Sequence, residues 1–242
     1  MLHSSSQRLR HELHILGAIN LALPVIVAAI YLGFSILVYY SARHNGGTLD
    51  YAHYQATRGM LALLENGLPL AAGLAAAILI SHDPVVESHL TFSQSYHATA
   101  TLRLALITLW TTLFTALVAL LVAATGFWPT ALQTLSPIEN IVLWLAPLWW
   151  FIGAGAALAL LLRSRVASTA ILGMVWVAQF LFKLLFLQSE ILQRVYLFLT
   201  EEDGLPSYWL ANRLIILAIA LALFGVTLLL LRRDEALLGP ES

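Results

Sequence analysis

The stretch Leu104-Ala105-Leu106-Ile107-Thr108-Leu109-Trp110-Thr111-Thr112-Leu113-Phe114-Thr115-Ala116-Leu117-Val118-Ala119-Leu120-Leu121-Val122-Ala123-Ala124-Thr125 runs for 22 residues without a charge. At the α-helical rise per residue that length reaches about 33 Å, and the hydrocarbon core of a bilayer is about 30 Å thick. The run is apolar on all sides, so it does not show the period-2 alternation of a strand in a membrane barrel. Five further stretches read the same way, which gives spans at Ile15–Tyr40, Met60–Ser81, Leu104–Thr125, Ile141–Leu162, Val166–Leu187 and Leu214–Leu231. Only the second, with Glu65, and the fifth, with Lys183, hold a charge.

The rest of the chain agrees with lipid as its solvent. Of its 242 residues, 60% are hydrophobic and 10% charged, whereas a soluble domain carries about 25% charged residues. The predicted fold class is therefore an all-α integral membrane protein, a six-helix bundle forming one domain over residues 1–242. Twelve Lys and Arg against 13 Asp and Glu leave a net charge of -1, without the basic excess that draws a protein to nucleic acid. Cysteine is absent, which removes disulfides, thiolate metal sites and a cysteine nucleophile.

The first span is too long for the apolar part of a secretory signal and is expected to stay in the mature protein. With the N-terminus inside, Arg8, Arg10, Arg103, Arg163, Arg165, Arg232 and Arg233 fall on the inner side, against Arg43, Arg58, Arg194 and Arg213 outside. The positive-inside rule then places both termini in the cytoplasm of a cell with this protein in its inner or plasma membrane. Residues 1–14, with Ser4 to Ser6 ahead of basic residues interleaved with leucine, read either as a short interfacial helix or as a polar terminus.

A catalytic reading finds little to build on. His11-Glu12-Leu13-His14 places its histidines at i and i+3, one residue short of the zinc-protease spacing. No Gly-x-Ser-x-Gly elbow is present, and no histidine or aspartate falls inside a span. His82, His89 and His97 are spaced by 7 and 8 residues, which puts only the first two on one helix face, and interfacial histidines explain them as well as a metal site does. The chain is expected to be no enzyme, with no metal and no cofactor of its own.

The spans offer packing chemistry instead. Gly67, Ala71 and Ala75 recur at four-residue steps, as do Gly153 with Ala157 and Gly155 with Ala159, so backbones are expected to approach closely there. Pro24, Pro69 and Pro147 are expected to kink their helices. Glu65 and Lys183 both lie about one turn from the outer ends of their spans. Burying either alone is costly, so they are expected to form an ion pair or a polar patch at the outer mouth of a translocation path. The other reading has Lys183 snorkelling to the interface and Glu65 capped locally.

The order of features resembles the type-2 permease family of ATP-binding-cassette (ABC) transporters. One stretch that carries the resemblance is Glu65-Asn66-Gly67-Leu68-Pro69-Leu70-Ala71-Ala72-Gly73-Leu74-Ala75-Ala76-Ala77-Ile78-Leu79, followed by Ser81-His82-Asp83-Pro84-Val85-Val86-Glu87-Ser88-His89-Leu90. A second is Leu145-Ala146-Pro147-Leu148-Trp149-Trp150-Phe151-Ile152-Gly153, leading to Leu161-Leu162-Arg163-Ser164. The third is Trp209-Leu210-Ala211-Asn212-Arg213 before the last span, with Leu231-Arg232-Arg233-Asp234-Glu235-Ala236-Leu237-Leu238 after it.

The resemblance implies a permease subunit of an exporter, paired with a second permease subunit that is the same chain or a sister. ATP and Mg2+ would sit on a separate cytosolic ABC ATPase. It also implies a coupling helix, and the residues support one: Asp83 can cap a helix that Pro84 opens, with Val85, Val86 and Leu90 as an apolar stripe beside Glu87. Asp83, Pro84, Val85, Val86 and Glu87 are thus the expected ATPase contact, against the plainer reading of a capped turn on lipid headgroups. The outer segment Gln188–Asn212, with Ile191, Leu192, Val195, Leu197 and Phe198, is expected to re-enter the outer interface rather than dangle. Trp149, Trp150, Phe151 and Trp176 either line an apolar path or pack. The reading from a different class is a membrane scaffold or assembly subunit that moves no solute.

Overall fold

A computed structural model describes residues 17–81, 96–129, 132–201 and 205–237. The described residues form helices: α1 (Gly17–His44), α2 (Leu49–Ala62), a π-helical turn (Leu63–Gly67), α3 (Leu68–Ser81), α4 (Tyr96–Ala124), α5 (Pro137–Leu162), α6 (Arg165–Leu181), α7 (Lys183–Gln188) and α8 (Trp209–Leu237). Short 3-10 turns at Leu192–Val195 and Leu199–Glu201 lie between α7 and α8. The expected interfacial segment 1–14 and coupling residues Asp83, Pro84, Val85, Val86 and Glu87 lie outside the described residues, as do His82 and His89.

Local chemistry sets the helix ends. Gly46, at φ +79°, turns the chain from α1 to α2, a backbone conformation that glycine adopts without a Cβ penalty. Thr48 caps α2 by accepting from the Tyr51 amide at 3.2 Å. At the start of α5 Ser136 and Glu139 form a reciprocal capping box, with Pro137 opening the helix. Arg163, at φ 49°, ends α5 in the left-handed conformation, and Ser164 immediately caps α6.

α5 is the middle of the bundle, packed most extensively against α3 on one side and α8 on the other. Gly153 and Gly155 explain how both neighbours come close. Two residues apart, they point about 200° from each other around the helix. A Cβ at Gly155 would run into the carbonyl oxygen of Gly73 on α3, and one at Gly153 would meet Leu223 Cβ at 3.0 Å and the Ala220 carbonyl oxygen at 3.2 Å on α8. Gly73 is equally confined, with the Phe151 carbonyl oxygen 2.7 Å from its would-be Cβ. Gly67 lies against Tyr31 of α1. The small-residue faces expected from the sequence are therefore contact faces, and Ala71, Ala75, Ala157 and Ala159 are buried with them.

The outer helices have the opposite character. Phe34 and Leu37 on α1, Leu113 and Leu120 on α4, and Leu221 and Leu229 on α8 are all exposed. Apolar exposure on this scale, along whole helix faces, is a surface built for lipid. Five helical segments are long and apolar enough to cross a membrane: Leu21–His44, Leu49–Ser81, His97–Ala124, Pro137–Leu162 and Trp209–Arg232. The molecule is an all-α, multi-pass membrane protein. The fifth expected span, Val166–Leu187, differs in detail: α6 ends at Leu181, Phe182 leaves helical geometry at φ -102° and ψ 22°, and the six residues of α7 follow. The sequence has neither Gly nor Pro between Gly173 and Gln188 to signal that break.

Candidate functional site

Pro69 is the local cause of the site's unusual backbone. Its ring leaves no N–H for the carbonyl of Glu65 four residues earlier, and it crowds that carbonyl. The helix widens instead, and the Leu68 amide donates to the carbonyl of Leu63, five residues back. Single π turns of this kind recur where helices carry functional side chains. All five residues of this one, Leu63 to Gly67, are buried, including Glu65 and Asn66 at 0% exposure.

The cation that meets Glu65 is Arg213. Its Nη2 donates to Glu65 Oε1, and both side chains are fully buried. The sequence pointed to Lys183 as the partner and placed Arg213 among the outer-side charges. α8 starts at Trp209, so Arg213 is already on its first turns and is fully buried, which makes it a partner of Glu65 that the sequence did not name. Lys183 opens α7 and is half-buried. A cation near a helix N-terminus gains nothing from the helix dipole, so the carboxylate of Glu65 accounts for the position of Arg213 better than its own helix does.

Arg213 holds more than Glu65. Its Nη1 donates to the carbonyl oxygen of Leu197 at 2.7 Å, and Nη2 also donates to Thr200 Oγ1 at 2.7 Å. Trp209 Nε1 donates to the same hydroxyl oxygen at 2.9 Å, and the Arg213 guanidinium lies 5.8 Å from the Trp209 ring centroid, within cation–π range. One planar fork thus ties the π turn, the last helix and the segment between α7 and α8 together.

That intervening segment enters the bundle as irregular chain. Tyr196, Leu197, Phe198, Leu199 and Thr200 are each 4% exposed or less. Buried backbone outside regular structure needs partners for its polar groups, and here flanking side chains supply them. Gln179 Oε1 on α6 accepts the Leu197 amide at 3.1 Å. Asn212 Nδ2 donates to the carbonyl oxygens of Gln193 at 2.8 Å and Tyr196 at 3.0 Å. A run of ring contacts packs the same segment: Trp176 on Phe180 at 4.7 Å, Phe180 on Phe198 at 4.8 Å, and Tyr196 on Phe186 at 5.6 Å. Of the outer segment 188–212, residues 196–200 are buried within the bundle while Ile191 is exposed.

The remaining sequence candidates make the following contacts. Phe151 is buried against α3, with Trp150 edge-on to it at 5.1 Å. Trp149 Nε1 donates to Thr112 Oγ1 on α4 at 3.1 Å. His97 sits half-buried at the start of α4. Among the described residues, no three His, Asp or Glu side chains are placed to hold a metal ion. Comparison with family models, with curated proteins and with solved structures finds no match to this chain.

Proposed function

We propose that the chain is the transmembrane permease subunit of an ABC exporter, in the type-2 permease family, coupled to separate cytosolic ATPase subunits and paired with a second permease subunit. The observation that carries this reading is the meeting of the three stretches on which the resemblance rests. Glu65, the first residue of one, pairs with Arg213, the last of another. Phe151 and Gly153, from the remaining stretch, lie against Gly73 and against α8. Residues that are far apart in the chain and share a family pattern are thereby parts of one packed unit.

In this reading α6 and α7 together make the fifth of six spans. Seventeen residues in α6 reach about 25 Å at the helical rise, and α7 completes the crossing. Both termini and residues 83–87 are then cytoplasmic. The segment buried between α7 and α8 is the outer re-entrant element. Transport works by alternating access: ATP draws the two ATPases together, the segment Asp83-Pro84-Val85-Val86-Glu87 passes that motion to the bundle, and close-packed helices switch between two packings rather than deforming continuously. The chain performs no covalent chemistry, and its single lysine, Lys183, lies in apolar surroundings unsuited to nucleotide.

A photo-crosslinking amino acid at Val85, in cells expressing the full chain at native level, tests the coupling role. Crosslinks to a soluble ATP-hydrolysing protein are expected, and Asp83→Ala with Pro84→Ala should reduce them at least about tenfold, as loss of a helix cap and its opening residue unseats the contact. Crosslinks to lipid alone would count against the exporter and for a scaffold.

A further inference from the structure

The chain contains two Asn-Gly pairs, Asn45-Gly46 and Asn66-Gly67. In such a pair the glycine presents no Cβ to block its own backbone nitrogen from reaching the side-chain amide carbon of the asparagine before it. The structure sets the two pairs in opposite surroundings. Asn45 and Gly46 form the turn between α1 and α2, and both are exposed. Gly46 is at φ +79°, and a Cβ built on it would meet nothing within 4 Å. The Asn45 side chain makes one long hydrogen bond, from Nδ2 to Ser41 Oγ at 3.4 Å. On either side of Gly46 the amides of Asn45 and Gly47 donate to the carbonyl oxygens of Ser41 and Ala42, each at 3.0 Å, and among the described residues no backbone carbonyl accepts from Gly46 itself. Asn66 and Gly67 are instead buried in the π turn. A Cβ on Gly67 would press on Tyr31 at 2.9 Å and on Val27 at 3.2 Å, so that backbone has no room to rotate.

We propose that Asn45 is a site of spontaneous deamidation, through a cyclic imide with Gly46, and that the fold protects Asn66 from the same reaction. The step needs water and hydroxide alone. The Gly46 amide nitrogen, having given its proton to hydroxide, attacks Cγ of Asn45. The new N–C bond closes a five-membered imide ring, and the side-chain nitrogen leaves as ammonia after taking a proton from water. A second water molecule then opens the ring. Cleavage of the bond to Cγ leaves aspartate at position 45. Cleavage of the bond to the main-chain carbonyl carbon leaves isoaspartate, with Gly46 joined through Cγ and one extra carbon in the main chain.

Both products put a negative charge on a turn that already carries Arg43, His44 and Asp50. The charge falls just ahead of the Thr48 cap of α2, on the side of the helix where the backbone dipole favours an anion. Aspartate leaves the main chain as it was. Isoaspartate lengthens the short link between the two helices and draws the Gly47 amide away from the Ala42 carbonyl. The age of a folded chain is thereby written into one turn as charge and main-chain length.

The test holds the purified full chain in lipid nanodiscs in mildly alkaline buffer and follows both pairs over time by peptide mapping with mass spectrometry, counting isoaspartate by enzymatic methylation. In the folded chain Asn45 should convert at least about tenfold faster than Asn66, because reaction at Asn66 waits for the π turn to open. In the chain unfolded by guanidinium chloride and detergent, the two should convert within about threefold of each other, since the shared dipeptide then sets the rate. Asn45→Gln, whose longer side chain would have to close a six-membered ring, should abolish conversion at position 45 and leave Asn66 unchanged. Conversion of Asn66 as fast as Asn45 in the folded chain would overturn the proposal. So would an Asn45 that stays intact in the folded chain while both pairs convert in the unfolded one. No readout involves ATP or a partner, so the deamidation site and the exporter reading can fail separately.

Discussion

Arg213→Ala is expected to destabilise the protein by about 3–5 kcal/mol, the cost of leaving a buried carboxylate without its cation. Glu65 would then lie fully buried beside an empty space, and the Leu197 carbonyl and Thr200 hydroxyl would lose the donor they share. Glu65→Ala should cost a similar amount, because the buried guanidinium loses its carboxylate. The two losses should not add. In the double variant Glu65→Leu with Arg213→Met no charge is left unpaired, and apolar side chains of comparable volume replace the pair, so most of the lost stability should return. Thermal unfolding in nanodiscs for the two single variants and the double variant measures this directly. Additive losses would mean that the two side chains act independently.

Gly155→Val is the second large expected effect. A Cβ at Gly155 meets backbone, the carbonyl oxygen of Gly73, and a carbonyl cannot rotate away as the end of a side chain can. α3 and α5 would have to separate along their contact. Overpacking of this sort typically costs about 1–3 kcal/mol, and here it also parts two of the stretches that make up the site. Gly173 provides the control, since nothing lies within 4 Å of its would-be Cβ. Gly173→Ala should be neutral or stabilising by up to about 1 kcal/mol through helix propensity. Equal melting behaviour of the two variants would show that the α3–α5 approach is looser than the structure has it.

Five long apolar helices were legible because a bilayer sets a length, and runs of about 20 apolar residues satisfy it without reference to tertiary packing. Small residues were legible for a related reason: Gly153 and Gly155, inside a membrane-spanning helix, admit the close approach of a neighbour. The ion pair was half legible. Glu65 in an apolar run demanded a cation, but apolar windows mark where a span enters lipid, not where its helix begins. Arg213 lay one residue outside the window that opens at Leu214 and well inside a helix that opens at Trp209. Trp209 and Arg213, four residues apart, carried the missing signal, because that spacing stacks ring and guanidinium on one helix face. Pro69, four residues after Glu65, similarly marked where the backbone must widen.

How residues 196–200 are seated was beyond the sequence. Ile191, Leu192, Val195, Leu197 and Phe198 forecast a segment that re-enters the outer interface; Ile191 is exposed, Leu197 and Phe198 are buried, and the backbone partners of the buried part are single side chains on distant elements. Gln179, inside the fifth apolar run, and Asn212, just before the last, are in the sequence ordinary polar residues. The break at Phe182 has no local signal either, since neither Gly nor Pro lies near it. The seating of residues 196–200 comes from packing between elements, which no periodicity along the chain reports.

The exporter reading is tested most directly by isolating the complete complex from native membranes in mild detergent and measuring ATP hydrolysis in the purified material. The account predicts a stoichiometric ATP-hydrolysing subunit bound to this chain and lost when Asp83 and Pro84 are replaced by alanine. A stable, folded chain that purifies alone or only with non-hydrolysing partners, whatever the detergent, would contradict it.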